Sequence, residues 1–590
     1  MRLSQVGACV LLAVVSIQLV PCKGQATEFL FGTFPDNFWW STATSSYQIE
    51  GAWNVSGKGL NIWDTYCHVG GNVNNNDTGD VACDSYNKYD EDIKLMKELG
   101  VSHYRFSISW ARIFPDGTKA SYNQAGIDHY EKLVDALKAN DIIPMITLYH
   151  WDLPQALQDM GGWTNESLIG HFNDYADVMF EKLGPKVKQQ PVEATKYIKH
   201  INQLRDAKNE MNLVDIHSNA KEGELSIAAI THADLGPYLS MTTPLKYEVD
   251  LWLTFNEPFV VCWLGYGVGA HAPGIKEAGT STYECAHTII KSHAKAWHTY
   301  DTKYRATQKG KIGITLDSDW KEAFNASNPD DVAAADRAMQ FKLGWFAHPI
   351  FVNGDYPEVM KAAVYNKSMA QGLDASRQPS FTEAEKQEIK GTHDFFGLNH
   401  YTTQLIEPRD WEFESWEQDQ EAKEIRDPSW PDSGSDWLKV VPWGLRKLLS
   451  FVKDNYGNQE IIITENGVSI QSNTKEDALN DQARIDYYRG YINEVLKAIR
   501  LDNVNVIAYT AWSLLDNFEW SRGYAERFGL HYVDFDDPAR PRTAKESAKY
   551  IKQLIKDHGF PDTSGGSKKQ GSAIVGLCSV LGVILLKLFN

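Results

Sequence analysis

Short runs of apolar and β-branched residues alternate along this chain with longer segments in which apolar residues recur every three to four positions. Several of these short runs are apolar almost without interruption, as strands buried on both faces of a parallel sheet should be, and eight of the runs are predicted strands. They lie at residues 39–44, 103–109, 142–149, 251–255, 311–316, 395–398, 461–464 and 506–511. Segments such as 90–99 and 130–139 have the amphipathic period of helices that return the chain for the next strand.

Eight strand-then-helix units in one chain predict an α/β fold with a single closed (β/α)8 TIM barrel. The competing architecture is an open, doubly wound sheet, which would need a glycine-rich phosphate loop after its first strand. No such loop is present at that position. In a barrel, the catalytic residues are expected at or just after the carboxyl ends of the strands.

One segment, residues 188–249, does not fit this pattern because it is polar and has no recognisable period. A structureless loop of that length is unusual inside a compact domain. If the segment is removed, residues 184–187 join residues 250–252 without a break in the surrounding pattern. The segment is either a lineage-specific surface insertion or translated non-coding sequence, and the continuous flanks favour the second interpretation.

The two ends of the chain have the composition of targeting signals. Residues 1–26 combine Arg2, a short apolar stretch and a small-residue ending, which predicts a signal peptide rather than a membrane span. Residues 563–590 combine small residues, a polar spacer and an apolar tail, which is typical of a signal for a glycolipid (GPI) anchor. A short tail anchor is the alternative. Residues 27–562 are then the barrel domain, expected to be secreted or held at the extracellular face of the cell membrane.

The overall charge limits the class of binding partner, and the number of cysteines bears on disulfide formation. A formal net charge of −19, without a basic stripe, argues against nucleic acid as a partner. The cysteines between the predicted terminal signals are Cys67, Cys83, Cys262 and Cys285, and their even number in an oxidising compartment predicts disulfides. Three pairings are open, although Cys67 with Cys83 and Cys262 with Cys285 would each close a short loop.

Two short peptides, residues 254–258 and 463–467, each place a glutamate at the end of a predicted strand. The fourth and seventh strands of a barrel face each other across its mouth, so Glu257 and Glu465 can converge although they are far apart in sequence. Glycoside hydrolysis needs such a pair, with one carboxyl protonated and the other ionised. Each glutamate also lies beside an asparagine that can hydrogen-bond a sugar hydroxyl.

With these peptides and those at residues 46–52, 104–110, 149–154, 399–401 and 511–520, the sequence resembles glycoside hydrolase family 1, the β-glucosidase family. The resemblance extends from residue 38 to about residue 555 and is interrupted only by the unpatterned segment. It implies a retaining β-glycosidase that removes terminal β-D-glucosyl, galactosyl or fucosyl residues from small O-glycosides or oligosaccharides. It implies no cofactor, and no metal-ligand spacing is found in the sequence.

The resemblance also assigns roles to individual residues. Glu257 is expected to be the acid/base and Glu465 the nucleophile that forms a covalent glycosyl-enzyme. Arg105, at the end of the second strand, and Tyr401 are expected to keep Glu465 ionised, and Asn256 completes this catalytic group. The residues expected to bind the sugar are Gln48, His150, Asn399, Trp512, Glu519 and Trp520.

The sequence leaves two other functions open. A Klotho-like cell-surface binding protein would have the barrel without its catalytic carboxylates, and the presence of both Glu257 and Glu465 argues against it. A myrosinase-like thioglucosidase is nearer, and its plant members carry glutamine at the acid/base position. Glu257 therefore favours O-glycosides without excluding some action on thioglycosides. The sequence does not identify the preferred sugar or the aglycone, which variable loops would bind.

Overall fold

The computed structural model describes residues 28–187, 251–410, 415–472 and 474–562. The predicted signal peptide, the segment 188–249 and the tail 563–590 lie outside the described residues. Among the described residues, 33–560 form one compact unit, and residues 28–32 with 561–562 belong to a second, terminal unit. In the described part of the terminal unit, the rings of Phe29 and Phe31 meet edge to face at 5.2 Å.

Eight parallel strands close into a barrel in the order of the chain, with the last strand paired to the first. They are β1 (Trp39–Ala43), β2 (His103–Ser107), β3 (Ile143–Tyr149), β4 (Leu251–Asn256), β5 (Lys311–Asp317), β6 (Phe396–Asn399), β7 (Ile461–Asn466) and β8 (Val506–Trp512). The predicted (β/α)8 barrel is confirmed, and the predicted and observed strand bounds differ by at most two residues.

Helices follow the strands and cover the outside of the barrel. The predicted helical segments 90–99 and 130–139 are the last parts of two of them, Ser85–Leu99 and Gln124–Ala139. The other α-helices are Ser46–Ile49, Ile62–His68, Trp110–Ile113, Gln155–Gln158, Leu168–Val187, Pro258–Val260, Ser281–Lys303, Arg305–Gln308, Pro329–Met339, Trp345–His348, Glu358–Ala370, Glu383–Ile389, Trp416–Gln420, Trp443–Tyr456, Lys475–Leu479, Gln482–Arg500 and Glu546–Asp557. Short 3-10 or π turns lie at Asn74–Asn76, Lys119–Ser121, Gly162–Thr164, Val261–Gly265, Gln340–Gly344, Pro349–Asn353 and Trp520–Arg522.

Additional short strands lie outside the barrel wall. They are Gly32–Thr33, Trp320–Ala323, Thr403–Pro408, Ala422–Ile425, His531–Val533, Arg542–Ala544 and Gly559–Phe560. Trp320–Ala323, Thr403–Pro408 and Ala422–Ile425 form one three-stranded sheet in the loops that follow β5 and β6. This sheet therefore lies on the side of the barrel where the strands end.

The barrel interior is apolar near the strand starts and polar near the strand ends. A buried cluster of Trp39, Met145, Leu251, Leu253, Phe395, Ile462, Ile507 and Ala508 comes from the first halves of the strands and the residue before β6. The last residues of the strands include Asn256, Asp317, Asn399 and Glu465, which are also buried. Because the apolar layer packs tightly, it gives these polar side chains a rigid base.

Cys262 and Cys285 form a disulfide with their Cα atoms 5.5 Å apart, which confirms one predicted pair. The prediction that Cys67 and Cys83 also pair is wrong, because both are free buried thiols. The sulfur of Cys67 accepts a hydrogen bond from the Tyr47 hydroxyl at 3.4 Å, whereas the Cys83 thiol donates to the backbone oxygen of Asp516 at 3.1 Å. Each thiol is thus held by its own neighbours. Burial raises the pKa of Cys67 to about 12, so this thiol is protonated at neutral pH.

Among the described residues, we find no helix that combines the length and apolar character needed to cross a bilayer.

Candidate active site

A cleft of about 430 Å³ opens where the barrel strands end. Its size is in the range of small-molecule sites, which are roughly 300–1,000 Å³. Glu257, directly after β4, and Glu465, the penultimate residue of β7, both line it. They are almost completely buried, with 7% and 3% of their surfaces exposed. The predicted pair of carboxyl groups therefore meets in one cavity.

The backbone at Glu257 adopts the left-handed region, with φ 48° and ψ 63°. Its amide donates to the backbone oxygen of Thr315 in β5 at 3.0 Å, and Pro258 then begins a short helix. Trp151 and Trp520, which also line the cleft, have φ values of 76° and 49°. Such conformations cost about 1–3 kcal/mol each and persist where the surroundings enforce them, often at functional sites.

Arg105 and Tyr401 hold the two oxygens of the Glu465 carboxylate. Arg105 Nη1 donates to Oε1 at 2.5 Å and to the backbone oxygen of Thr464 at 3.1 Å. The Tyr401 hydroxyl donates to Oε2 at 2.6 Å. Arg105 lies in the middle of β2, not at its end as expected, and its long side chain brings the guanidinium to the end of β7.

Two asparagines connect this arrangement to Glu257. Asn399 Nδ2 donates to Glu257 Oε1 at 2.7 Å and to Asn256 Oδ1 at 3.1 Å. Arg105 Nη2 donates to the same Asn256 oxygen at 2.6 Å. Asn399 also stabilises the charged form of Glu465 and so opposes the rise of its pKa. The two carboxyl groups are therefore linked in a single hydrogen-bond network that runs through Asn399, Asn256 and Arg105.

The two carboxyl groups differ in their electrostatic surroundings. Burial raises the pKa of Glu257 well above its ordinary value, and the negative charges of Asp317 and Glu465 raise it further. Burial also raises the pKa of Glu465, but Arg105, Tyr401 and Asn399 stabilise its charged form and oppose the rise. The proton of the pair is therefore held by Glu257 and the negative charge by Glu465.

Of the residues predicted to bind the sugar, His150, Asn399, Trp512, Glu519 and Trp520 line the cleft. The His150 ring is stacked near Trp512 and near Trp520, at centroid distances of 6.0 and 5.9 Å. Burial and the charge of Arg105 lower the pKa of His150, so its ring is neutral. Since Asn256 Nδ2 lies 3.1 Å from His150 Nε2, this ring nitrogen is the acceptor.

Gln48 lies behind the cleft wall rather than on it, with no exposed surface. Its amide nitrogen donates to Asn517 Oδ1, to the Phe518 backbone oxygen and to Glu519 Oε2, at 3.0, 2.9 and 3.3 Å. Burial raises the pKa of Glu519 well above its ordinary value, and the charges of Glu526 and Glu465 add to this effect, whereas Gln48 opposes it. Gln48 thus orients the carboxyl group that faces the cleft.

The sequence reasoning missed the polar and aromatic residues of the other half of the cleft. They are Phe259, Trp263, Asp317, Asp319, Lys342, Gln404, Trp416, Glu424 and Trp437. Asp317 ends β5, so the expectation of functional residues at strand ends could have identified it. The others come from loops, helices and the three-stranded sheet, where no local pattern marks them. Within the described residues, no group of three or more His, Cys, Asp or Glu side chains is arranged to hold a metal ion.

Comparison with known proteins is consistent with this geometry. The model of the family described as Glycosyl hydrolase family 1 matches residues 30–194 and 240–560. The unmatched stretch lies inside the predicted insertion 188–249. Lactase/phlorizin hydrolase of Homo sapiens is 47% identical over 542 residues, which cover 91% of this chain but only 25% of that protein. The chain thus spans about a quarter of the length of that relative.

Two further proteins match over nearly their full length. Cytosolic beta-glucosidase of Homo sapiens is 43% identical over 532 residues, which cover 89% of this chain and 99% of that protein. The solved structure of aphid myrosinase superposes with a TM-score of 0.76 at 39% identity, covering 89% of this chain and 99% of that one. The barrel, the paired carboxyl groups and these matches agree, and the chain belongs to glycosyl hydrolase family 1.

Proposed function

We propose that this β-glycosidase removes terminal β-D-glucosyl residues, or the related galactosyl or fucosyl residues, from O-glycosides with retention of configuration. The observation that carries the proposal is the pair of buried carboxyl groups, Glu257 and Glu465, in one hydrogen-bond network. Their surroundings favour the proton on Glu257 and the negative charge on Glu465. Retention requires carboxyl groups about 5–5.5 Å apart, and the hydrogen-bond network that joins the two carboxyl groups in one cleft supports a short separation.

The proposed reaction has two steps. In the first, Glu257 donates its proton to the glycosidic oxygen as the bond from that oxygen to the anomeric carbon breaks, and the Glu465 carboxylate bonds to that carbon. In the second, ionised Glu257 takes a proton from water, whose oxygen attacks the anomeric carbon and displaces Glu465. Both carboxyl groups return to their starting states, so no cofactor is consumed.

The surrounding residues would support these two steps, either by fixing the catalytic carboxyl groups or by binding the sugar. The charge-assisted hydrogen bonds from Arg105 and Tyr401 keep Glu465 ionised for attack. Asn256 is held by Arg105 and Asn399, so its position is fixed relative to both carboxyl groups. His150 and Glu519 present polar groups to sugar hydroxyls, and Trp512 and Trp520 offer indole faces to the apolar C–H face of a pyranose.

Two substitutions test these roles on aryl β-glucosides. For Glu465→Gln, we expect turnover to fall by roughly 1,000-fold or more on every substrate, because the nucleophile is lost. For Glu257→Ala, we expect a large loss with phenyl β-glucoside but a small loss of the first step with dinitrophenyl β-glucoside, whose leaving group needs no proton. Glu494→Gln, at a glutamate with 8% exposed surface outside the cleft, is the control. Near-native turnover by Glu465→Gln would contradict the mechanism.

The same variants separate the two alternative functions. A Klotho-like binding role predicts no hydrolysis that depends on Glu465. A thioglucosidase role is favoured by the likeness to aphid myrosinase, and it predicts that phenyl S-glucosides are cleaved at rates comparable to the O-glucosides. Since thiolate leaving groups need no proton, Glu257→Ala would then spare S-glucosides. We expect the O-glucosides to be the better substrates.

We further propose that the protein is secreted and held at the extracellular face of the membrane by a glycolipid anchor. The support is the composition of residues 1–26 and 563–590. Phosphatidylinositol-specific phospholipase C should release the protein from intact cells, whereas retention after this treatment would favour a tail anchor. For residues 188–249, sequencing of the mature transcript distinguishes a true insertion from retained non-coding sequence.

A further inference from the structure

The half of the cleft beyond Glu257 has a floor of fixed polar side chains, which we call the polar floor: Asp317, Asp319, Lys342, Gln404 and Glu424. Beneath it, Lys321 has no exposed side-chain surface. Its ammonium donates to Gln404 Oε1 at 2.8 Å and to Glu424 Oε1 at 2.5 Å, and it lies 3.6 Å from Asp319 Oδ2. One buried cation thus fixes three of these side chains.

The contact with Lys321 also determines how Gln404 faces the cleft. An ammonium group has only donors, so the amide oxygen of Gln404 must point toward Lys321. The amide nitrogen makes no hydrogen bond to Lys321, and Gln404 lines the cleft. Gln404 and Lys321 are paired in register on adjacent strands of the three-stranded sheet, which holds this orientation. Gln404 therefore presents hydrogen-bond donors to whatever occupies the cleft.

Lys342 has a similar position between two carboxylates. Its ammonium lies 3.2 Å from Asp317 Oδ2 and 3.2 Å from Asp319 Oδ2, and it sits 4.9 Å from the centre of the Phe259 ring. Asp317 is only 8% exposed, and its Oδ1 has no hydrogen-bond partner among the described residues. Asp317 thus has an unused acceptor at the end of β5, next to a cation with a further hydrogen to donate.

Aromatic side chains complete this half of the cleft. The rings of Trp263 and Trp416 lie 5.3 Å apart, and Trp416 also packs against Phe259 at 5.0 Å. Trp437 is 40% exposed and also lines the cleft. A site with indole faces beside fixed donors and acceptors matches a pyranose ring, which has an apolar C–H face and hydroxyl groups that both donate and accept.

We propose that the polar floor binds the hydroxyl groups of an aglycone that is itself a sugar, so that the enzyme prefers β-linked disaccharides and oligosaccharides to glycosides with apolar aglycones. The inference rests on the proposed function. An aryl or alkyl aglycone would cover Gln404, Lys342 and Asp317 without forming hydrogen bonds to them. Polar groups that are buried without partners discriminate strongly against such ligands.

The experiment compares two substrates that both need a protonated leaving group, β-1,4-glucobiose (cellobiose) and phenyl β-glucoside. The measured quantity is the ratio of their kcat/KM values, determined with the full chain. In Gln404→Leu, we expect this ratio to fall roughly tenfold, as the loss of one hydrogen bond to the sugar aglycone predicts. Since Gln404 makes no contact with either catalytic carboxyl, a change in acid catalysis would not produce this result.

A second variant and a matched control keep the result interpretable. Gln404→Glu preserves the size of the side chain and an oxygen for the contact with Lys321 but removes the amide donors, so it should lower the same ratio even if Gln404→Leu folds poorly. Gln308→Leu removes a glutamine that is 6% exposed, like Gln404, but that donates to the Phe180 backbone oxygen outside the cleft. This control should leave the ratio unchanged.

The outcomes separate this inference from the proposed function. An unchanged ratio in both Gln404→Leu and Gln404→Glu would overturn the inference, and so would an unsubstituted enzyme that cleaves phenyl β-glucoside but not cellobiose. Both of these results would leave the proposed glycosidase function intact. An unsubstituted enzyme that cleaves neither substrate, nor any aryl glycoside, would refute the proposed function and the inference with it.

Discussion

Replacing Tyr401 with phenylalanine removes one hydroxyl from the catalytic network and little else. That hydroxyl donates to Glu465 Oε2 at 2.6 Å, while the ring packs edge to face against Trp437 and Phe528 at 5.7 and 6.2 Å. The ring contacts should persist in the variant. A hydrogen bond to a charged group contributes about 1.5–3 kcal/mol, and this one favours ionised Glu465. Its loss therefore raises the pKa of Glu465.

The expected magnitude follows from that energy. At 1.36 kcal/mol for each pH unit, the acidic limb of the kcat/KM profile should move upward by about 1 to 2 pH units. The direction is upward because the active enzyme needs Glu465 ionised, and the variant ionises only at higher pH. The lower end of the range is expected, since Arg105 still donates to the carboxylate and Asn399 still stabilises its charge.

The assay is the pH dependence of kcat/KM with an aryl β-glucoside, because this quantity reports the ionisations of the free enzyme. Tyr175→Phe is the matched control, because its buried hydroxyl donates to the Leu148 backbone oxygen at 2.9 Å, away from the cleft. It should lose some stability without moving the limb. An acidic limb that stays in place in Tyr401→Phe, or that moves downward, would refute the assignment of Tyr401 and Glu465.

Three further predictions follow from other contacts. Asp317→Asn removes a negative charge that raises the pKa of Glu257, so the basic limb of the kcat/KM profile should move to lower pH, as a pH series on phenyl β-glucoside would show. Arg105→Lys keeps the charge but loses the forked contacts to Glu465 and Asn256, and kcat/KM measured at the pH optimum should fall at least tenfold. Replacing both Cys262 and Cys285 with serine opens a loop with a sequence separation of 23 and should lower the free energy of unfolding by about 3 kcal/mol, measured by denaturant titration. The first prediction would be contradicted by an unchanged pH profile of Asp317→Asn, and the second by an unchanged kcat/KM of Arg105→Lys. The third would be contradicted by an unchanged free energy of unfolding of the double serine variant.

The barrel could be predicted from the sequence because its strands are buried on both faces. Such strands are continuous apolar runs, and the helices between them have an amphipathic period, so both leave a clear pattern. The pair of glutamates could be predicted from the sequence because each lies at or directly after the end of a strand. The observed positions of Glu257 and Glu465 at the mouth of one cleft agree with that expectation.

What the sequence could not reveal depends on contacts between distant segments. Cys67 and Cys83 are close in sequence, but the neighbours that hold them, Tyr47 and Asp516, are not apparent from spacing. Arg105 reaches Glu465 from the middle of a strand because of the length of its side chain, which a rule about strand ends does not include. The polar floor was missed because Lys321 and Gln404 meet only when two separate loops pair as strands.

The most direct test of the central claim is to trap the covalent intermediate on Glu465. A 2-deoxy-2-fluoro-β-glucoside with a dinitrophenyl leaving group should form the glycosyl-enzyme quickly and hydrolyse it slowly, so that the adduct accumulates. Peptide mapping by mass spectrometry should then find one fluoroglucosyl group on Glu465 and none in Glu465→Gln. A label on a different carboxyl group, or turnover of this substrate without any label, would contradict the account.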